Sequence, residues 1–225
     1  MINKVPYRVL VFLLLFVANG MPAQSQLHAD TILARTLRVS HADSSREARV
    51  VMCKRKTDGM PEYSYGKLLW TPGHFKMTFW DTVNTQEMKS QTLEVDDTLR
   101  MYFAQFGVVY TYDEKENRPS PFTGNLFFLG EKNFNKPRID SVSKDSIAYL
   151  VLYPVGDKVQ YSVLKVAVDL RTYRAIEYKA FMKNGTISTL TLSYTNINEG
   201  IPADVFVFKK TDYPLYTDFV DDPGK

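Results

Sequence analysis

The side chains best suited to hold a metal or to start a covalent step are His28, His41, His74 and Cys53. The histidines lie far apart with no HExxH pattern, Cys53 has no second cysteine to pair with, and no Gly-rich phosphate loop is present. His74 follows Pro72-Gly73 and reads as a surface turn residue, because a catalytic base would need Ser and Asp partners that no motif supplies. Cys53 neighbours Lys54 and Arg55, which can activate a thiol, but a lone cysteine in an alternating stretch is read as a small apolar packing residue. Asp96-Asp97 is not a carboxylate pair: neighbours on a strand point to opposite faces, and Asp is a common turn former. Asn184-Gly185-Thr186 matches a glycosylation pattern, yet Asn-Gly between two alternating segments is sufficiently explained as a type I′ hairpin turn. The expectation is therefore no catalytic residue, no metal, no cofactor and no enzymatic activity.

What the chain holds in surplus is bulky apolar side chains. Residues 66–80, "GKLLWTPGHFKMTFW", place them at odd and even positions around a Thr-Pro-Gly break. Period two assigns Phe75, Met77 and Phe79 to one face and Leu68, Trp70 and Trp80 to the other. A second apolar run, Leu126–Leu129 in "SPFTGNLFFLGEKNF", has Thr123 as a cap and Gly130 as a stop, which predicts a short helix that must be covered all round. One arrangement satisfying both is a filled sandwich core with a helix packed on it. Another is a curved sheet with an apolar concave face under helices that can lift.

The elements that position these residues are mostly strands. "EARVVMCKRK", "SQTLEV", "LRMYF", "GVVYTY", "IAYLVLY", "YSVLKVAVDL", "RAIEYKAF", "TISTLTLSYT" and "DVFVF" recur at hairpin intervals and predict an antiparallel meander of nine to eleven strands. The apolar set of "TISTLTLSYT" is Leu190, Leu192 and Tyr194, and that of "YSVLKVAVDL" is Leu164, Val166, Val168 and Leu170. Ahead of the strands, Ile32, Leu33, Leu37 and Val39 recur at helical spacing, with Asp30 or Thr31 as the cap.

The N-terminus reads as a secretory signal. Lys4 and Arg8 precede the apolar run "VLVFLLLFVA", and small and polar residues follow. Residues 1–23 are taken as the signal peptide and 24–225 as one domain. The chain carries 28 Lys plus Arg against 25 Asp plus Glu, so loss of Lys4 and Arg8 leaves 26 against 25. A near-neutral mature protein does not point to nucleic acid as a partner. Cys53 does not lie behind the apolar run, so no lipid-modified cysteine is expected there.

Taken together, the motifs resemble those of the LolA family, carriers of lipoproteins across the periplasm of Gram-negative bacteria. "YGKLLWTPGHFKMTF" is similar to the family's Gly-x-Leu-Trp…Pro-x-x-Phe stretch, and "VDDTLRMYF", "FTGNLFFLGE" and "IPADVFVFKKTDYP" follow in the family's order. The resemblance covers nearly the whole mature chain. It implies an incomplete antiparallel β-barrel of about eleven strands with a short helical lid over an apolar cavity. It further implies a soluble, monomeric periplasmic carrier that shields acyl chains of lipoproteins between the inner and outer membranes. Its partners would be an inner-membrane lipoprotein-releasing ABC transporter, an outer-membrane acceptor and the acylated cargo. The cavity residues implied are Leu69, Phe75, Met77 and Phe79, with Leu126, Phe127 and Leu129 on the lid and Trp70 behind the wall. Where many family members carry an arginine before the proline, this chain has Thr71, a hydroxyl in place of a guanidinium at the lid contact. Alternatives on the same residues are a carrier or sensor of other lipids, or a β-sandwich interaction domain.

Overall fold

The computed structural model describes residues 28–80, 88–95, 98–112, 134–155, 160–213 and 218–221. The proposed signal segment 1–23, the Asp96-Asp97 turn and the lid residues Leu126, Phe127 and Leu129 lie outside them.

Helix α1 spans Ala29–Ala42 and buries Ala29, Ile32, Leu33 and Thr36, so one stripe of the helical period faces the interior. The cap is His28, without a side-chain bond; Asp30 sits two residues further in, in the first turn, where a carboxylate favours the exposed N–H groups. The sequence expectation of Asp30 or Thr31 as cap is therefore corrected by two or three residues. Inside the helix, the Thr36 hydroxyl donates to Ile32 O (2.9 Å), which satisfies a buried polar group locally.

Twelve strands follow: β1 (Arg46–Arg55), β2 (Glu62–Thr71), β3 (His74–Trp80), β4 (Met88–Val95), β5 (Thr98–Phe103), β6 (Val108–Tyr112), β7 (Phe134–Val142), β8 (Ile147–Pro154), β9 (Tyr161–Asp169), β10 (Arg174–Met182), β11 (Ile187–Ile197) and β12 (Asp218–Asp221). They form one sheet in the order β12-β6-β5-β4-β3-β2-β1-β11-β10-β9-β8-β7. All neighbours are antiparallel except β12, which joins β6 in parallel. The sheet is an incomplete barrel with β12 and β7 as its edges. Both were absent from the sequence reading. Strand β7 contains Pro137 and two register breaks, which an edge strand tolerates and a central one does not. The four-residue β12 carries too short a pattern to be read.

Two turns differ from expectation for identifiable reasons. At Asn184-Gly185 only the glycine has positive φ (82°), the Gly185 N–H donates to Met182 O (3.0 Å), and the Met182 N–H donates to Thr186 O (2.9 Å). This is a three-residue loop ending in a left-handed glycine rather than the two-residue I′ turn. At Pro72-Gly73 the loop has two residues, with Gly73 at φ 81° and Thr71 facing His74 across it. A two-residue loop inverts parity between its strands. Hence Leu68 pairs with Met77 and Trp70 with Phe75, on one face, while Leu69 pairs with Lys76 on the other. The assignment of Leu68 and Trp70 to the face opposite Phe75 is overturned, because it carried odd-and-even counting straight through the turn.

The face holding Phe75 is the interior. Its buried cluster joins Ile32 and Leu33 of α1 to Ala48, Val50, Leu68, Trp70, Phe75, Met77 and Phe79 of one half of the sheet. From the other half come Leu150, Leu164, Val166, Tyr178, Leu190 and Leu192. Members from both halves touch one core, so the sheet curls around it. The outer face of β3–β6 is covered by the C-terminal segment: Phe206 and Tyr213 are buried, and Tyr213 packs edge-on against Tyr102 at 5.1 Å. Lys76 Nζ donates to Val205 O (3.0 Å) and Gln91 Nε2 to Tyr213 Oη (2.7 Å), fastening that segment.

Candidate apolar ligand site

Phe75, Met77 and Phe79 occupy alternate positions of β3 and are 2%, 3% and 4% exposed on the inner wall. Trp70 stands beside Phe75 on the same wall, not behind it. Leu69 does not join them: it is half-buried on the outer face opposite Lys76, the side covered by the C-terminal segment. Thr71 also lies on the outer face, opposite His74, whose ring packs against Phe206 at 5.4 Å. Neither Leu69 nor Thr71 therefore shares a face with Phe75, again because the two-residue turn inverts parity. Leu126, Phe127 and Leu129 fall outside the described residues.

The inner wall is apolar over β1–β3 and β8–β11, and β4 interrupts it by turning Ser90, Thr92 and Glu94 to the Phe79, Met77 and Phe75 side. Beyond that strip, Leu99 and Met101 of β5 are again buried and apolar. Burial drives the Tyr178 phenol far above the ordinary range and raises those of Tyr194 and Tyr161 in the same direction. Tyr194 Oη donates to Ala175 O (3.0 Å), so its hydroxyl is satisfied without water.

Arg46 is a buried charged group on the interior side, and the sequence reading missed it. Arg46 begins β1 in phase with Ala48, Val50 and Met52, so it points inward, and it is 5% exposed. Its guanidinium lies over the Trp70 ring, 3.8 Å from the centroid, donates to Ser40 O (3.3 Å) and approaches Asp43 at 3.6 Å. Arg174 donates to the other Asp43 oxygen at 2.7 Å. The cluster ties the end of α1, the start of β1 and the start of β10 together. The available signal was an arginine at an inward position of an otherwise apolar alternation.

Cys53 is half-buried on the outer face opposite Tyr63, rather than in the core. Among the described residues no group of three His, Cys, Asp or Glu side chains could hold a metal ion. No helix among them is long and apolar enough to cross a membrane. A neutral, apolar, one-sided wall in an unclosed sheet can bury hydrocarbon; that is the chemistry it offers.

No family model and no curated protein matches the sequence. Several solved structures are similar. An uncharacterized conserved protein of Thermus thermophilus has 12% identity and a TM-score of 0.54, over 86% of this chain and 98% of that one. A LolA superfamily protein of Nitrosomonas europaea has 13% identity and a TM-score of 0.44, over 81% and 98%. A DUF1329 family protein of Desulfovibrio piger has 11% identity and a TM-score of 0.47, over 83% and 99%. At such identities the likeness is one of fold: the chain shares the architecture of the Thermus thermophilus protein along nearly the whole length of that protein.

Proposed function

We propose that the protein is a non-enzymatic carrier that shields an acyl chain against the inner wall of its open sheet. The observation that supports this most is the wall itself, apolar across β1–β3 and β8–β11 in a sheet whose edges do not join. Helix α1 meets that wall at β7 and β10, while Phe75, Met77, Phe79, Leu99 and Met101 extend the apolar side into the other half. The sequence resemblance to LolA carriers supplies the finer reading: an exported periplasmic protein that takes acylated lipoproteins from an inner-membrane transporter to an outer-membrane acceptor.

The energetics favour a carrier. Each methylene removed from water contributes about 0.8 kcal/mol, so a sixteen-carbon chain left exposed would cost on the order of 12 kcal/mol. Unaided transfer between membranes is correspondingly slow. Phe75, Met77 and Phe79 are already covered, so a chain reaches them by displacing that cover and should associate more slowly than diffusion allows. Titration with a fluorescent fatty-acyl probe tests the reading. Saturable, blue-shifted binding that unlabelled palmitate displaces is expected, with the exposed outer-face variant Thr191→Glu behaving as the parent. Absence of saturable binding would leave an ordinary packed core and an interaction domain.

A further inference from the structure

Antiparallel alternation brings the β1–β2, β5–β6, β8–β9 and β10–β11 connections to one end of the sheet. Of the eight large apolar side chains exposed among the described residues, five stand at that end: Met60 (91% exposed), Tyr63, Phe106, Tyr153 and Val155. The opposite end carries Val142 alone, and the other two belong to the C-terminal segment. The same end holds a cavity of about 510 Å³ between the β1–β2 and β10–β11 hairpins, whose tips are joined by Thr57 Oγ1 donating to Gly185 O (3.3 Å).

The chemistry of this cavity is two-sided. Lys54 at the end of β1 and Lys56 just beyond it line one side, and Gln160, Thr186 and the buried Ser188 add amide and hydroxyl groups. Met60 and Met182 supply apolar surface, and Met182 also packs against the interior cluster, so the cavity adjoins the core. Glu62 is its carboxylate, Asp58 lies in the adjoining turn, and Arg55 and Lys183 flank it, giving four cations against two anions. Among the described residues neither Lys54 nor Lys56 is paired with a carboxylate. An apolar rim beside lysines and hydrogen-bond donors is complementary to a bilayer interface: anionic phosphate for the cations, acyl boundary for Met60, and headgroup depth for the tyrosines.

We propose that this end of the sheet docks on an anionic membrane and that the cavity receives the phosphate of a phospholipid headgroup. The site is separate from the acyl-binding wall and does not depend on that wall being occupied. Cosedimentation with phosphatidylglycerol vesicles, against phosphatidylcholine vesicles, tests it. The full chain should prefer the anionic vesicles and lose that preference as salt rises. Lys54→Gln/Lys56→Gln should weaken binding about thirtyfold, each lysine near an anionic surface contributing roughly a factor of five. Both lysines are exposed, so the variant should melt as the parent does and keep its acyl-probe affinity. Met60→Ser should weaken vesicle binding as well. Equal binding to both vesicle types, or a double variant that binds as the parent, would overturn the proposal. So would inorganic phosphate that shifts the Lys54 and Lys56 resonances while vesicles do not bind. Vesicle binding through these lysines without acyl-probe binding would uphold this inference and sink the carrier reading instead.

Discussion

Replacing Asp43 by Asn should destabilise the fold far more than replacing Asp140, although each carboxylate has a cationic partner at 2.7 Å. The Asp43 side chain is 4% exposed and serves two guanidiniums, Arg174 at 2.7 Å and Arg46 at 3.6 Å, the latter 5% exposed. A pair at such separations interacts by about 4 kcal/mol at the effective dielectric of a protein periphery, before desolvation is subtracted. Neutralising the carboxylate leaves Arg46 buried on the Trp70 ring with Ser40 O as its remaining acceptor of known geometry. Stranding a buried charge costs about 3–5 kcal/mol; Arg174 is partly exposed and can rehydrate, so about 3 kcal/mol is expected. For a chain of this length that corresponds to a fall of roughly 6–12 °C in melting temperature. By contrast, Lys165 and Asp140 are 35% and 41% exposed, and Asp140→Asn should be nearly silent because water already screens the pair. Urea unfolding followed by circular dichroism, with both variants and the parent in one buffer, is the assay. If the two substitutions cost the same, the buried cluster does not fasten α1 to the sheet and the argument from burial fails.

Further outcomes can be checked on the same preparations. Gly66 lies between Val50 and Phe79, and an added Cβ would stand 3.0 Å and 2.9 Å from their side chains and collide with the Thr78 carbonyl oxygen; Gly66→Ala should cost about 3 kcal/mol or more, read as a lowered urea midpoint, whereas Gly59→Ala should not move it. Burial pushes the Tyr213 phenol from the ordinary 10.0 up to about 12, against the opposing effect of its Gln91 hydrogen bond. A phenol with a raised folded pKa stabilises fully below pH 10 and loses that contribution as pH rises toward 12, so the urea midpoint should fall over this window, and less steeply in Tyr213→Phe. Trp70→Ala should cost about 3–5 kcal/mol, because it removes the inner-wall ring and the face on which Arg46 rests, while Leu69→Ala on the half-buried outer side should cost clearly less.

Alternation alone was enough to read β1, β9 and β11: Ala48, Val50, Leu164, Val166, Leu190 and Leu192 are all inward and buried. Each strand has one face on the core and one toward water, so its pattern states its own phase. The phase between strands is a different quantity, set by the length of the connecting turn. Counting through Pro72-Gly73 therefore put Trp70 and Leu69 on each other's faces. Edge strands lack this guidance, and β7, with Pro137 and broken register, carries no alternation to read. The Arg46–Asp43–Arg174 cluster joins residues more than a hundred positions apart, and only a folded chain brings Arg174 to Asp43. The Met60 rim was equally illegible, because its significance lies in which turns share one end of the sheet.

The central claim is that the inner wall holds an acyl chain, and the native mass of the full-length product recovered gently from its own compartment tests it most directly. The account predicts a population heavier than the polypeptide by one or a few acylated molecules, released on collisional activation and recovered by organic extraction as fatty-acyl lipid. A single population at the polypeptide mass, unchanged after incubation with acylated donor, would contradict it.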